Sequence, residues 1–120
     1  MRDEEAVRKH LPLNPKVAVI LLALAEGSAH GYEIKKRAEE HSDGSVRLDA
    51  GSLYRTLGQL MDRGLIEEAS ERPGPDEDDV RRRYYHLTSL GKNVVQAEVK
   101  RLSDMVELAR ANDLIPSTGG

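Results

Sequence analysis

The chain of 120 residues contains no cysteine, no phenylalanine and no tryptophan. Without cysteine it can form neither disulfides nor thiolate metal sites, and a reducing compartment suits it. Tyrosine is its sole aromatic, so leucine and valine supply the apolar mass, and so thin an aromatic core suggests a partner subunit to complete it. Long hydrophobic runs are missing too. The longest, Val17 to Ala25, falls far short of the roughly 20 apolar residues that span a bilayer. The first ten residues, MRDEEAVRKH, are heavily charged and unlike a signal peptide. These absences lead to the expectation of a soluble, cytoplasmic chain with no membrane partner. Its length suits one compact domain, or one small domain with an appendage. Chemistry is equally poorly provided for. Ser28, Ser42, Ser52 and His30 form no nucleophile elbow, and no paired carboxylates are evident. His10, His30, His41 and His86 are scattered over an arm, helix ends and a strand, whereas metal sites want closely spaced ligands. No enzyme activity, cofactor or metal is expected.

Charge of one sign is not in great excess, since the net charge is −3. That total argues mildly against nucleic acid, but binding depends on local basic patches. Between Arg81 and Arg101 lie Arg81, Arg82, Arg83, Lys92, Lys100 and Arg101 against the single acid Glu98. Between Glu67 and Asp79 lie seven acids against Arg72. The distribution suits one positive surface on an acidic body.

The most informative stretch is Asp49 to Gly64, DAGSLYRTLGQLMDRG. Asp49 is a good helix N-cap, and Gly64 a good left-handed stop. Leu53, Leu57, Leu60 and Met61 recur at helical spacing and cover one face. The opposite face holds Ser52, Arg55, Gln59 and Asp62, with Thr56 and Arg63 on one shoulder and Tyr54 on the other. Taken alone this reads as an ordinary amphipathic helix with a solvated polar face. Its Ser, Arg, Thr and Gln side chains nevertheless reach both phosphates and base edges in a major groove.

The neighbouring segments weigh on that choice. Residues 1–14 form a charged arm, in which Ala6, Val7 and Leu11 can make a docked helical turn or fray. Asn14 and Pro15 suit the start of a helix through Ala25 that is apolar all round and so buried. His30-Gly31-Tyr32 opens a second helix to about His41, with Ile34 and Ala38 inward and Lys35, Lys36, Arg37 and Glu39 outward. Val46 to Leu48 is long enough for a short strand. After the helix at 49–64, Leu65 to Ser70 reads as a strand, and Pro73-Gly74-Pro75 with the following acids as a polar hairpin tip. Arg81 to Leu87 reads as the return strand, with Tyr85 and Leu87 on the core and Arg81 and Arg83 free near the tip. Thr88 caps a last helix to about Ala111. Val95, Val99, Leu102, Val106 and Ala109 step along it by four, three, four and three, an a/d seam suited to a dimer. Residues 112–120 are read as a polar, disordered tail.

Helix, helix, short strand, helix and two-stranded hairpin is the winged helix-turn-helix arrangement, a mainly α (α+β) fold with a long C-terminal dimerisation helix. The domain reading is an arm at 1–14, a winged helix-turn-helix domain at 15–87, a dimerisation helix at 88–111 and a tail at 112–120. Such a fold places its third helix in a major groove and the hairpin on the backbone or minor groove. Basic residues stand where that requires them: Arg55 and Arg63 on the third helix, Lys35 and Lys36 on the second, and Arg81 to Arg83 on the wing. Ser52, Thr56 and Gln59 join them as candidate DNA contacts.

Gly31-Tyr32-Glu33-Ile34, Gly51-Ser52-Leu53-Tyr54, Leu60-x-x-x-Gly64-Leu65-Ile66 and Tyr84-Tyr85-x-Leu87-Thr88-x-x-Gly91 together resemble the signature of PadR-like transcriptional regulators. The resemblance covers about residues 17–110, and the single last helix is similar to the short subfamily. It implies a bacterial homodimeric repressor released from an inverted-repeat operator by a small-molecule effector. It also implies that Tyr32 and Tyr54 contact the phosphate backbone. Ser52 stands where the family commonly has threonine, and Arg55 replaces a proline usual after the tyrosine, so any contact by Arg55 is particular to this chain. The acidic tip Asp76 to Asp79 departs from the pattern and argues against deep wing insertion. No tryptophan stands on the last helix to sandwich a flat aromatic ligand. The alternative is a winged-helix protein-interaction module with little DNA affinity, suggested by the acidic wing and net charge.

Overall fold

The computed structural model describes residues 2–69 and 83–116. Five helices and three short strands follow in the order α1 (Arg2–Arg8), α2 (Pro15–Ala25), β1 (Ala29–His30), α3 (Gly31–His41), α4 (Ala50–Asp62), β2 (Ile66–Glu68), β3 (Tyr84–Leu87) and α5 (Ser89–Ala111). Each of the four longer helices starts on a side chain that accepts an otherwise unpaired first-turn amide. Asn14 Oδ1 takes Val17 N at 2.8 Å, His30 Nδ1 takes Glu33 N at 3.2 Å, Asp49 Oδ1 takes Ser52 N at 2.8 Å and Thr88 Oγ1 takes Gly91 N at 3.0 Å. The starts of α2, α4 and α5 coincide with those expected from the sequence. Gly64 ends α4 at φ +75°, with Gly64 N on Met61 O and Leu65 N on Leu60 O, both at 3.0 Å. Those two bonds are a Schellman closure, which needs the left-handed residue that glycine supplies cheaply.

The core is aliphatic. Ile20 and Leu21 of α2, Ile34 of α3, Leu53, Leu57 and Leu60 of α4, Ile66 of β2 and Val94 of α5 are all buried in it. Tyr85 is the aromatic that joins them, on the strand between the other two. The sheet runs β1-β3-β2, antiparallel throughout, with Ala29 opposite Tyr85 and Ile66 opposite Leu87. Helix α2 packs against α3 and α5, and so does much to join α3 to the last helix.

Two expectations are corrected here, and the open reading of the arm is decided. Val46 to Leu48 is not a strand: Val46 N is held by Ser42 Oγ at 3.1 Å in a local turn, and Leu48 drops into the core. Ala29–His30 takes that place instead, pairing with the free edge of β3. The arm contains a helix, α1, that lies against α5, with Val7 and Leu11 half-buried on the core. Arg37 does not project outward but donates from Nη1 to Ala23 O and Gly27 O, both at 3.0 Å, satisfying the end of α2. The hairpin tip, Arg81 and residues 117–120 lie outside the described residues.

The end of α4 is fastened to the start of α5. Thr88 N donates to Leu65 O at 3.1 Å, and the Thr88 hydroxyl donates to Gly64 O. Gly91, one turn into α5, lies so close that a Cβ there would sit 1.9 Å from Leu65 O. Gly91→Ala is therefore expected to destabilise the protein by about 3 kcal/mol, the upper part of the overpacking range. Gly58→Ala, in a helix with open space around it, is expected to stabilise by about 0.5–1 kcal/mol. Denaturant midpoints of the two variants check this pair of opposite signs.

Candidate nucleic-acid interface

Helix α4 buries Leu53, Thr56, Leu57 and Leu60, an i, i+3, i+4, i+7 stripe. Thr56 is thereby corrected from the exposed shoulder to the core face, with 8 % of its surface accessible, since it completes the turn between Leu53 and Leu60. Met61, expected inside, stands at the rim at 36 %. Arg55, Gln59 and Arg63 are exposed on the other side, and Ser52 is half-buried at the first turn. Neither Arg55 nor Arg63 makes an ion pair with any described residue. Beside Arg63 lies His10, whose Nε2 is buried without a partner; burial, then Lys9 and Arg63, hold this imidazole below its usual range.

The N-terminus of α3 adjoins this helix. The Tyr54 ring lies over Gly31, where a Cβ would come within 2.5 Å of the phenolic oxygen. Tyr32 projects freely, 72 % exposed, and with Lys35, Lys36, Glu39 and Glu40 lines a shallow cavity of about 370 Å³. The two lysines make no ion pair with a described residue, although the two glutamates temper their field. His30 supports the start of α3 through its Nδ1, while its ring meets Tyr84 edge-on at 5.4 Å. On the wing, Arg83 is exposed but engaged across the strands by Glu68 Oε1 at 3.5 Å. Opposite it on the same pair of strands, His86 Nε2 meets Glu67 Oε1 at 2.8 Å. Burial pushes the Tyr85 phenol up, with Tyr54 and Glu68 adding to the shift.

Two side chains important to this geometry were not singled out in the sequence. Lys16 Nζ, from the first turn of α2, donates to Ser52 Oγ at 2.7 Å. Glu98 of α5 is 2 % exposed. Its carboxylate accepts Arg101 Nε at 2.7 Å and Nη2 at 2.9 Å, and Leu13 N at 3.3 Å. Contacts 36 and 85 residues apart leave no local pattern. A glutamate on the inner face of an otherwise apolar stripe is the one sequence signal that could have marked Glu98.

The seam on α5 divides in two. Val95, expected on the seam, is buried in its own subunit beside Val94. Past Glu98 the same side of the helix leaves the body, and Val99, Leu102, Met105 and Val106 are between 39 and 55 % exposed. Ala109 continues the stripe at intermediate exposure. Among the described residues no helix is long and apolar enough to cross a membrane, and no His, Cys, Asp or Glu cluster could hold a metal.

Residues 20–97 match the Transcriptional regulator PadR-like family. The chain belongs to that family. As a PadR-like transcriptional regulator it has a relative in Lysinibacillus sphaericus, known as an uncharacterized protein X, 28 % identical over 108 residues, covering 90 % of this chain and 92 % of that one. Its fold is similar to a PadR-like transcriptional regulator of Bacillus cereus (TM-score 0.62, 24 % identity, 94 % of this chain and 99 % of that one). It is also similar to Bacillus subtilis PadR, solved in complex with operator DNA (TM-score 0.60, 24 % identity, 73 % of this chain and 48 % of that one).

Glu98 carries a dependence on pH. The Arg101 guanidinium, helped by the Leu13 amide, holds its carboxyl below the usual range against the opposing effect of burial. A depressed folded pKa adds stability that is complete above the ordinary value, about 4.5, and is lost as pH falls through the folded value. Glu98→Gln is expected to cost about 2 kcal/mol at neutral pH, as for a hydrogen bond to a charged group. The deficit should shrink in acid. Thermal melts of both proteins from pH 7 down to about pH 3 read it directly.

Proposed function

We propose that the chain is a sequence-specific DNA-binding regulator that acts as a homodimer, most simply a repressor that occludes a promoter. The exposed face of α4 carries this reading: Arg55, Gln59 and Arg63 stand side by side, the two arginines unpaired among the described residues, on a helix anchored by its opposite face. Arginine reads guanine edges and phosphates, and glutamine reads adenine. Ser52, Tyr54, Tyr32, Lys35 and Lys36 would extend the contact along the backbone, and the wing with Arg81 and Arg83 would follow it. Binding of operator DNA by Bacillus subtilis PadR supports the assignment.

The second copy would pack on the stripe Val99, Leu102, Val106 and Ala109, beyond the point where α5 leaves its own subunit. Each such leucine or valine removed from water contributes about 1.5–3 kcal/mol. The two copies of α4 would then enter successive major grooves, about one turn (~34 Å) apart. An effector bound near the seam would release the operator by favouring a different separation of the reading helices, in proportion to its differential affinity for the two arrangements.

Selection from a random DNA pool is expected to return an inverted repeat with half-sites one turn apart. Arg55→Ala should weaken binding to it by about 1–3 kcal/mol and leave sedimentation as a dimer unchanged. Leu102→Glu should yield a folded monomer that binds DNA poorly. An empty selection, or an Arg55 variant as tight as the parent, would contradict the reading and favour the interaction module.

A further inference from the structure

Among the described residues, Lys16 is a cation without a carboxylate partner. It lies in the first turn of α2, where the helix dipole disfavours positive charge. Asp49 caps α4, its Oδ1 accepting Ser52 N at 2.8 Å. The ammonium instead donates to the Ser52 hydroxyl at 2.7 Å, which occupies one hydroxyl lone pair and leaves its proton available to another acceptor. The result is two donors, one of them charged, at the entrance of the proposed reading helix and on the side where Arg55 and Gln59 emerge.

We infer that Lys16 and Ser52 together form a phosphate clamp for the DNA backbone at the start of α4. Lys16 supplies the charge and Ser52 the directed hydroxyl, so α2 takes part in DNA binding although it never enters a groove. An ammonium and a hydroxyl that can both donate fit an anionic oxygen, and a phosphate is the anion that a duplex presents beside a helix entering its major groove. A purely structural bridge between α2 and α4 would account for the short bond, but not for a charged donor where a neutral one would serve.

This inference rests on the DNA-binding reading above, and the experiment separates the two. Anisotropy of the full chain is followed on a pool-selected duplex and on a scrambled one across a salt series, for the parent, Lys16→Gln and Lys16→Arg. Each lost phosphate contact removes about 0.9 from the slope of log K against log salt, so Lys16→Gln should flatten it by about 1.8 per dimer. Near 50 mM salt, affinity should fall about tenfold per half-site, alike on both duplexes. Lys16→Arg should keep the parental slope. If the parent binds steeply and Lys16→Gln keeps its slope, losing only melting temperature, the clamp is refuted while the regulator reading stands. If the parent shows neither preference nor salt dependence, both fall together.

Discussion

The carbonyl of Leu65 is where the fold is held to one geometry. It accepts the Thr88 amide, and it lies against Gly91 at a distance that admits no Cβ. One residue earlier the chain has left α4 through a left-handed glycine, and the Gly64 carbonyl takes the Thr88 hydroxyl. The reading helix thus ends on the same few atoms from which the last helix begins. That junction ties the direction of α5 to that of α4, so a dimer through the seam proposed on α5 would set the spacing of the two copies of α4. The second fastening runs from Glu98 to the Leu13 amide and so to the start of α2, whose Lys16 reaches Ser52.

Charge is apportioned between structure and surface. Arg37 is consumed in closing α2, Arg101 in neutralising a buried carboxylate, and Arg83 in a cross-strand pair. Arg55, Arg63, Lys35 and Lys36 have no such employment among the described residues. A protein of net charge −3 can therefore still present a basic face, because repulsion from acids more than about 10 Å away is largely screened at ~0.1 M salt.

Elements defined by neighbours along the chain were legible in the sequence. Asn14, Asp49 and Thr88 cap the helices they were read as capping, and Gly64 stops α4, since caps act within four residues. The PadR-like signature and winged architecture followed from motifs that are local as well. What escaped depended on distance. Ala29–His30 became a strand because β3 offered it an edge, and two residues carry no periodicity of their own. Thr56 was misplaced because a polar side chain was assigned to the polar side, although its spacing from Leu53 and Leu60 puts it inside. Val95 lies on the same stripe as Val99 and Leu102 but on the half of α5 that its own subunit covers. Lys16 and Glu98 acquire their roles only once the chain has folded.

Because the chain lacks cysteine, Met61→Cys can be spin-labelled uniquely at the rim of α4, off its proposed reading face. Dipolar spectroscopy on the labelled protein then measures the separation of the two reading helices. A dimer through α5 predicts one narrow distribution within about 10 Å of a single DNA turn (~34 Å). Absence of dipolar modulation at concentrations where DNA is bound would contradict it, as would a separation that no pair of successive major grooves can match.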